Sequence, residues 1–197
     1  QLLQYGILFY RGEENTQALI EFFRTHMTSY ALRFHDWQKY NFGSTLHYTR
    51  NLVEDSEDFE MIVLNWQPGQ VSRIHDHNGS HCFMVVLQGE VFEQRFLQKS
   101  EDGQLISETQ APTTAPGPCP NLQEISKATL KKPGDFSYIH DKIALHIIGN
   151  ESNSPAVTLH VYSPPISKLK LFNPATNETL VRVPGFFSVH GRKTGKS

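Results

Sequence analysis

Cysteine is almost missing from this sequence: Cys82 and Cys119 are the only two among 197 residues. So few thiols cannot build a disulfide framework, and free thiols fit a reducing compartment. No apolar run approaches the roughly 18–20 residues that a helix needs to cross a bilayer. The first residues show no charged stretch followed by an apolar one, the pattern of a secretory leader. A cytoplasmic location is therefore the expectation. A basic excess is also lacking, with 18 Lys and Arg against 20 Asp and Glu. That balance argues against broad nucleic-acid binding. No internal repeat of fixed period occurs, which sets aside a repeat architecture. What remains is a chain long enough to bury a real core, expected to form one domain over residues 1–197.

The part from about 13 to 39 reads as helical. Leu19, Phe22, Phe23, Met27 and Tyr30 recur at three- and four-residue spacing, the pattern of one apolar helix face. From about 40 to 190 the character changes to short apolar or alternating runs such as "FEMIVLNWQPG", "CFMVVLQGEVFEQRFL" and "AVTLHVYSPP". Gly, Pro, Asn and Asp punctuate them, which predicts a mainly β, antiparallel sandwich or barrel. Residues 99–121 hold four prolines and three acidic residues and read as a surface excursion, with Cys119 incidental to it. The basic, Gly-rich end, 191–197, reads as a frayed terminus.

Ten histidines are present, and most read as surface or packing positions. His26, His35 and His190 have no evident partner, His140 falls in a predicted turn, and His47 precedes a strand. His75 and His77 differ, because on a strand residues i and i+2 project to the same side. An isolated H-x-H is as often a surface accident as a site. Here its frame adds weight: Gly69, five residues, His75-x-His77, four residues, Cys82, six residues, Gly89. These spacings match the first motif of the cupins, with Cys82 where that family usually has Glu. A later "LHIIGN" supplies His146 and Asn150, similar to the second cupin motif. His81, adjacent to Cys82, falls on the opposite side of the strand. Three neutral imidazoles would bind one face of a divalent ion and leave other positions open, as catalytic sites do. Zinc would accept the same ligands, so the set alone does not choose the metal.

Taken together, "YTRN" (48–51), "IHDHNGSHCF" (74–83), "YIHDKIALH" (138–146) and "SPAVTLHVYSPP" (154–165) resemble cysteine dioxygenase, in its mammalian type. This resemblance implies a cupin-type antiparallel barrel or jelly roll with N-terminal helices. It implies Fe(II), one per chain, held by His75, His77 and His146, and oxidation of the L-cysteine thiol by O2 to the sulfinic acid, in cysteine catabolism and taurine or sulfate supply. By the same resemblance Arg50 would bind the substrate carboxylate, as a guanidinium fork suits, with Tyr48 assisting. Thr158, His160 and Tyr162 would correspond to a Ser-His-Tyr relay, with Thr in place of Ser but the hydroxyl kept. Cys82 and Tyr162 would form a thioether, and Ser163–Pro164 would be cis. The small-molecule partners implied are L-cysteine and O2, with no membrane or nucleic-acid partner and a monomeric chain. A dioxygenase of 3-mercaptopropionate or cysteamine is the nearest alternative. A non-catalytic metal-binding cupin is the alternative from a different class, and Arg50, Tyr162 and Cys82 together argue against it.

Overall fold

Alternation along the long strands separates two apolar layers. In the strand Ala156–Ser163, Ala156 and Tyr162 join one buried cluster, while Val157, Leu159 and Val161 join another. Such period-2 partition is what a strand buried on both faces requires. The computed structural model describes residues 16–107 and 116–195. Helix α1 is Thr16–Ala31, followed by the short α2, Phe34–Trp37, and a 3-10 turn at Gln38–Tyr40. Of the expected helical part, residues 13–15 lie outside the described ones.

Among the described residues fifteen strands follow: β1 Thr49–Asp55, β2 Glu60–Trp66, β3 Ile74–His75, β4 His81–Gln88, β5 Val91–Lys99, β6 Leu105–Ile106, β7 Gly117–Pro118, β8 Leu122–Leu130, β9 Phe136–Ile139, β10 Leu145–Gly149, β11 Ala156–Ser163, β12 Leu169–Asn173, β13 Glu178–Arg182, β14 Ser188–Val189 and β15 Arg192–Lys193. One sheet runs β15-β14-β1-β2-β11-β4-β9, the other β6-β5-β10-β3-β12-β13-β7, with β8 also pairing β5. Among the described residues pairing is antiparallel except between β1 and β14. This is the mainly β, antiparallel architecture with N-terminal helices that the sequence predicts.

Between the sheets lies a core with Leu52, Ile62, Met84 and Tyr162 from the first sheet and Val91, Ile148 and Leu169 from the second. Helix α1 covers the outer face of the first sheet. Leu19, Phe23 and Met27 pack there with Val63, Phe83, Val85 and Leu159, and the Phe23 and Phe83 rings stack at 4.1 Å. The helical period predicted from the sequence therefore marks the buried stripe, with Phe22 and Tyr30 at its edge.

Two segments depart from expectation. The excursion at 99–121 contributes short strands, β6 and β7, and its residues 108–115 lie outside the described ones; Cys119 packs against a third cluster formed by Ile74, Leu145 and Phe172. The predicted frayed end is instead paired as far as β15, where Ser188 opposes Lys193 and Val189 opposes Arg192. Backbone pairing to β14 supplies partners that composition does not reveal. Residues 196–197 lie outside the described ones.

Candidate metal centre and its cavity

His75, His77 and His146 come together as the sequence predicts, though not for the predicted reason. Strand β3 ends at His75, and His77 stands in the turn beyond it. Asp141 ties that turn down: its carboxylate accepts the backbone N–H of His77 at 2.8 Å and of Gly79 at 2.7 Å. His146, on β10, lies directly across from His75 in the ladder. The Nε2 atoms of His77 and His146 are 3.1 Å apart, and those of His146 and His75 are 3.2 Å apart.

Each ring is held from behind. His75 Nδ1–H donates to the Arg73 carbonyl at 2.8 Å, and His146 Nδ1–H donates to Glu93 Oε1 at 2.9 Å. His77 Nδ1 is 3.5 Å from Asp141 Oδ1, an ion-pair separation with no hydrogen bond formed. With the proton on Nδ1, the Nε2 lone pairs of His75 and His146 point inward. Burial holds the His75 imidazole well below its ordinary pKa and that of His146 at about 4, each depressed further by the neighbouring histidines. Protonation is therefore not the relief for these facing lone pairs. A cation is. Nitrogens about 2.1 Å from one ion lie about 3.0 Å apart at right angles and about 3.4 Å apart at tetrahedral angles. These two separations fall between those values, so the donor set fits a divalent metal held by His75, His77 and His146, which among the described residues could ligate one together.

Glu93 on β5 was not singled out by sequence reasoning, since one Glu among alternating residues carries no signal. It is buried, and its Oε2 accepts from Ser137 Oγ at 2.6 Å and from Arg95 at 2.9 Å. Burial works to raise this carboxyl, and His146, Arg95 and Ser137 overcome it, keeping it ionised below the usual carboxylate range. A buried anion behind a ligating imidazole raises the ligand's basicity and fixes its orientation.

The opposite wall comes from the first sheet. Thr158, His160 and Tyr162 all project inward from β11, as period 2 requires. Trp66 Nε1–H donates to Thr158 Oγ1 at 2.9 Å. The Thr158 hydroxyl then has its own proton for His160 Nε2, also 2.9 Å away. This assigns the remaining ring proton to His160 Nδ1, which donates to Tyr162 Oη at 3.2 Å. The phenolic proton of Tyr162 is consequently turned away from His160. Burial keeps His160 well below its ordinary pKa and Tyr162 well above, so both are neutral. Cys82 opposes Tyr162 in the β4–β11 ladder, and its Sγ is 3.9 Å from His160 Nδ1. Burial pushes the Cys82 thiol up as well. Directly opposed residues have Cβ atoms about 4.5–5.5 Å apart, within reach of one another's side chains. The Ser163–Pro164 bond is cis, as expected.

A cavity of about 490 Å³ adjoins these groups, lined by His75, His160 and Tyr162 together with His47, Tyr48 and Arg50. Three guanidinium groups, Arg50, Arg73 and Arg182, line it, and among the described residues no carboxylate does. Tyr48 stacks on Trp66 at 4.5 Å, and burial raises its phenol, keeping it a hydrogen-bond donor. His81 is directed away, its Nδ1 2.6 Å from Tyr138 Oη, with the His140 ring 4.8 Å distant. Neither joins the cluster. His47 does reach the cavity, and Trp66, Arg73 and Arg182 line it without any motif having marked them; Glu60 stands behind Arg50, 2.9 Å from its Nη2.

A family model for cysteine dioxygenase type I matches residues 9–175. Cysteine dioxygenase type 1 of Danio rerio is 34% identical over 170 residues, covering 85% of this chain and 77% of that one. The Homo sapiens protein of the same name is 31% identical over 183 residues, covering 92% and 80%. That of Bos taurus is 30% identical over 184 residues, with the same coverage. Matched over most of its length by that family model and by its members, the chain belongs to the cysteine dioxygenase type I family of enzymes.

Proposed function

We propose that the chain oxidises the thiol of L-cysteine with O2 to cysteine sulfinic acid at one mononuclear non-haem Fe(II), held by His75, His77 and His146. The observation that carries this reading is the convergence of three imidazole nitrogens beside a cavity whose other wall offers Arg50. Iron bound there would acidify a coordinated thiol and supply the redox chemistry for O2. A third neutral imidazole in place of a carboxylate leaves the metal more cationic, which suits an anionic thiolate.

The chain's own residues do the rest. Arg50 binds the substrate carboxylate through its guanidinium donors, with Tyr48 as a second donor beside it. Tyr162 presents a hydroxyl proton to the reacting sulfur, held in that orientation by Thr158 and His160. Cys82 and Tyr162 form a thioether that replaces the S–H and one ring C–H, a two-electron oxidation in which a separate molecule of O2, the enzyme's co-substrate, takes up the two electrons and two protons. We read the protein as a single cupin-type domain, a cytoplasmic monomer in cysteine catabolism and taurine or sulfate supply.

The test is anaerobic loading with Fe(II), then O2 uptake on adding L-cysteine, 3-mercaptopropionate or cysteamine. L-Cysteine should be turned over best, with the sulfinic acid as product. Arg50→Ala should raise the cysteine KM by about 10- to 100-fold, the worth of a charged hydrogen bond. One iron bound per chain with no uptake would overturn the reading.

A further inference from the structure

Arg50 does not meet the cavity as an isolated cation. Glu60 Oε1 lies 2.9 Å from Arg50 Nη2, and the two side chains are only 8% and 14% exposed. The guanidinium carbon stands 5.8 Å from the centre of the Tyr162 ring and 5.7 Å from that of Phe186. Its Nε is buried with no hydrogen-bond partner among the described residues. The group thus packs near two aromatic rings and is held at one nitrogen, with donors left over.

The sheet builds this pair. Glu60 opens β2 and is directly across from Tyr162 of β11, while Arg50 of β1 faces Leu64 further along the same strand. The arginine side chain runs back along β2 to reach the carboxylate. Such an ion pair is retained at a cost in desolvation, because two charges leave water together.

We propose that Glu60 is a specificity-determining residue, which narrows the pocket's preference for carboxylate-bearing thiols over carboxylate-free ones by neutralising Arg50 in advance. The inference rests on the proposed reading of Arg50 as the carboxylate partner. Two effects act in the same direction. A substrate carboxylate approaching the free donors of Arg50 is attracted by the guanidinium and repelled by the Glu60 carboxylate behind it. A thiol without a carboxylate, which would otherwise leave a buried guanidinium unpaired, leaves Arg50 still paired with Glu60.

Glu60→Gln tests this, because the amide oxygen still accepts from Nη2 while the charge is gone. With the iron-loaded enzyme, the ratio of kcat/KM for L-cysteine over cysteamine should rise by about tenfold, mostly through KM. Anaerobic calorimetric titration with the two thiols should show the same change in Kd. An unchanged or smaller ratio overturns the proposal. Wild-type enzyme gives a check that needs no variant: it should accept cysteamine within about a hundredfold of L-cysteine, the range of a charged hydrogen bond. Discrimination beyond about a thousandfold overturns the proposal while leaving the cysteine reading intact. If wild-type enzyme oxidises neither thiol, the cysteine reading itself fails and the role of Glu60 falls with it.

Discussion

At the scale of single residues, proton placement governs this site. The sequence resemblance implies a Ser at the position of Thr158, and the Thr158 hydroxyl accepts from Trp66 and faces His160. The added methyl changes no donor or acceptor. Cys82 and Tyr162 are both neutral and directly opposed, so a thioether between them would leave a fraction of the chains with altered mobility. Cys82→Ala should abolish any doublet on a denaturing gel while retaining part of the activity. A doublet that survives the substitution would sink the crosslink. His75 and His146 were legible from motif spacing, and so was the identity of His77. The anchors of these rings were not. Asp141 and Glu93 lie 64 and 53 residues from the histidines they hold, and nothing local in a sequence marks a partner at such a distance.

At the scale of elements, the predictive signal was the two-residue period. It identified β11 and its inward trio correctly because both faces of that strand are buried and each face has its own chemistry. It misplaced His77 on a strand, since a turn secured by two hydrogen bonds can aim a side chain as well as a pleat can. The turn after β4 carries the chain from one sheet to the other, and Gly89 makes it possible. Its φ is +69°, and a Cβ there would lie 2.8 Å from the Pro155 carbonyl oxygen. Backbone crowding of this kind cannot be relieved by a rotamer change. Gly89→Ala should therefore destabilise the fold by about 2 kcal/mol or more, from the left-handed conformation and overpacking together. A denaturation midpoint equal to wild type would contradict this account of the turn.

At the scale of the whole molecule, the buried histidines set the response to acid. His75, His81, His140, His146 and His160 are all depressed below the ordinary value, burial being the first cause in each, with His81 and His146 at about 4. Between about pH 6.5 and 4 the unfolded chain therefore binds more protons than the folded one, and stability falls as pH falls through that window. Thermal unfolding followed from pH 8 to pH 4 should show a roughly level Tm above pH 7 and a steep decline below 6.5. A level profile through pH 5 would mean that these rings titrate freely in the fold. The mainly β architecture was legible from the punctuation of its runs. The pairing order of two interleaved sheets was not, because register depends on partners far along the chain.

The two sheets divide the labour. The imidazoles that converge on the metal position belong to the sheet containing β3 and β10 or to the turn beside it. Arg50, Glu60, Trp66, His160, Tyr162 and Cys82 all stand on the sheet containing β1, β2, β4 and β11. Mutational drift can therefore act on one wall at a time. Inward positions of β1 and β2 can be exchanged without touching His75, His77 or His146, so the cavity wall can change while this set of three imidazoles is inherited intact.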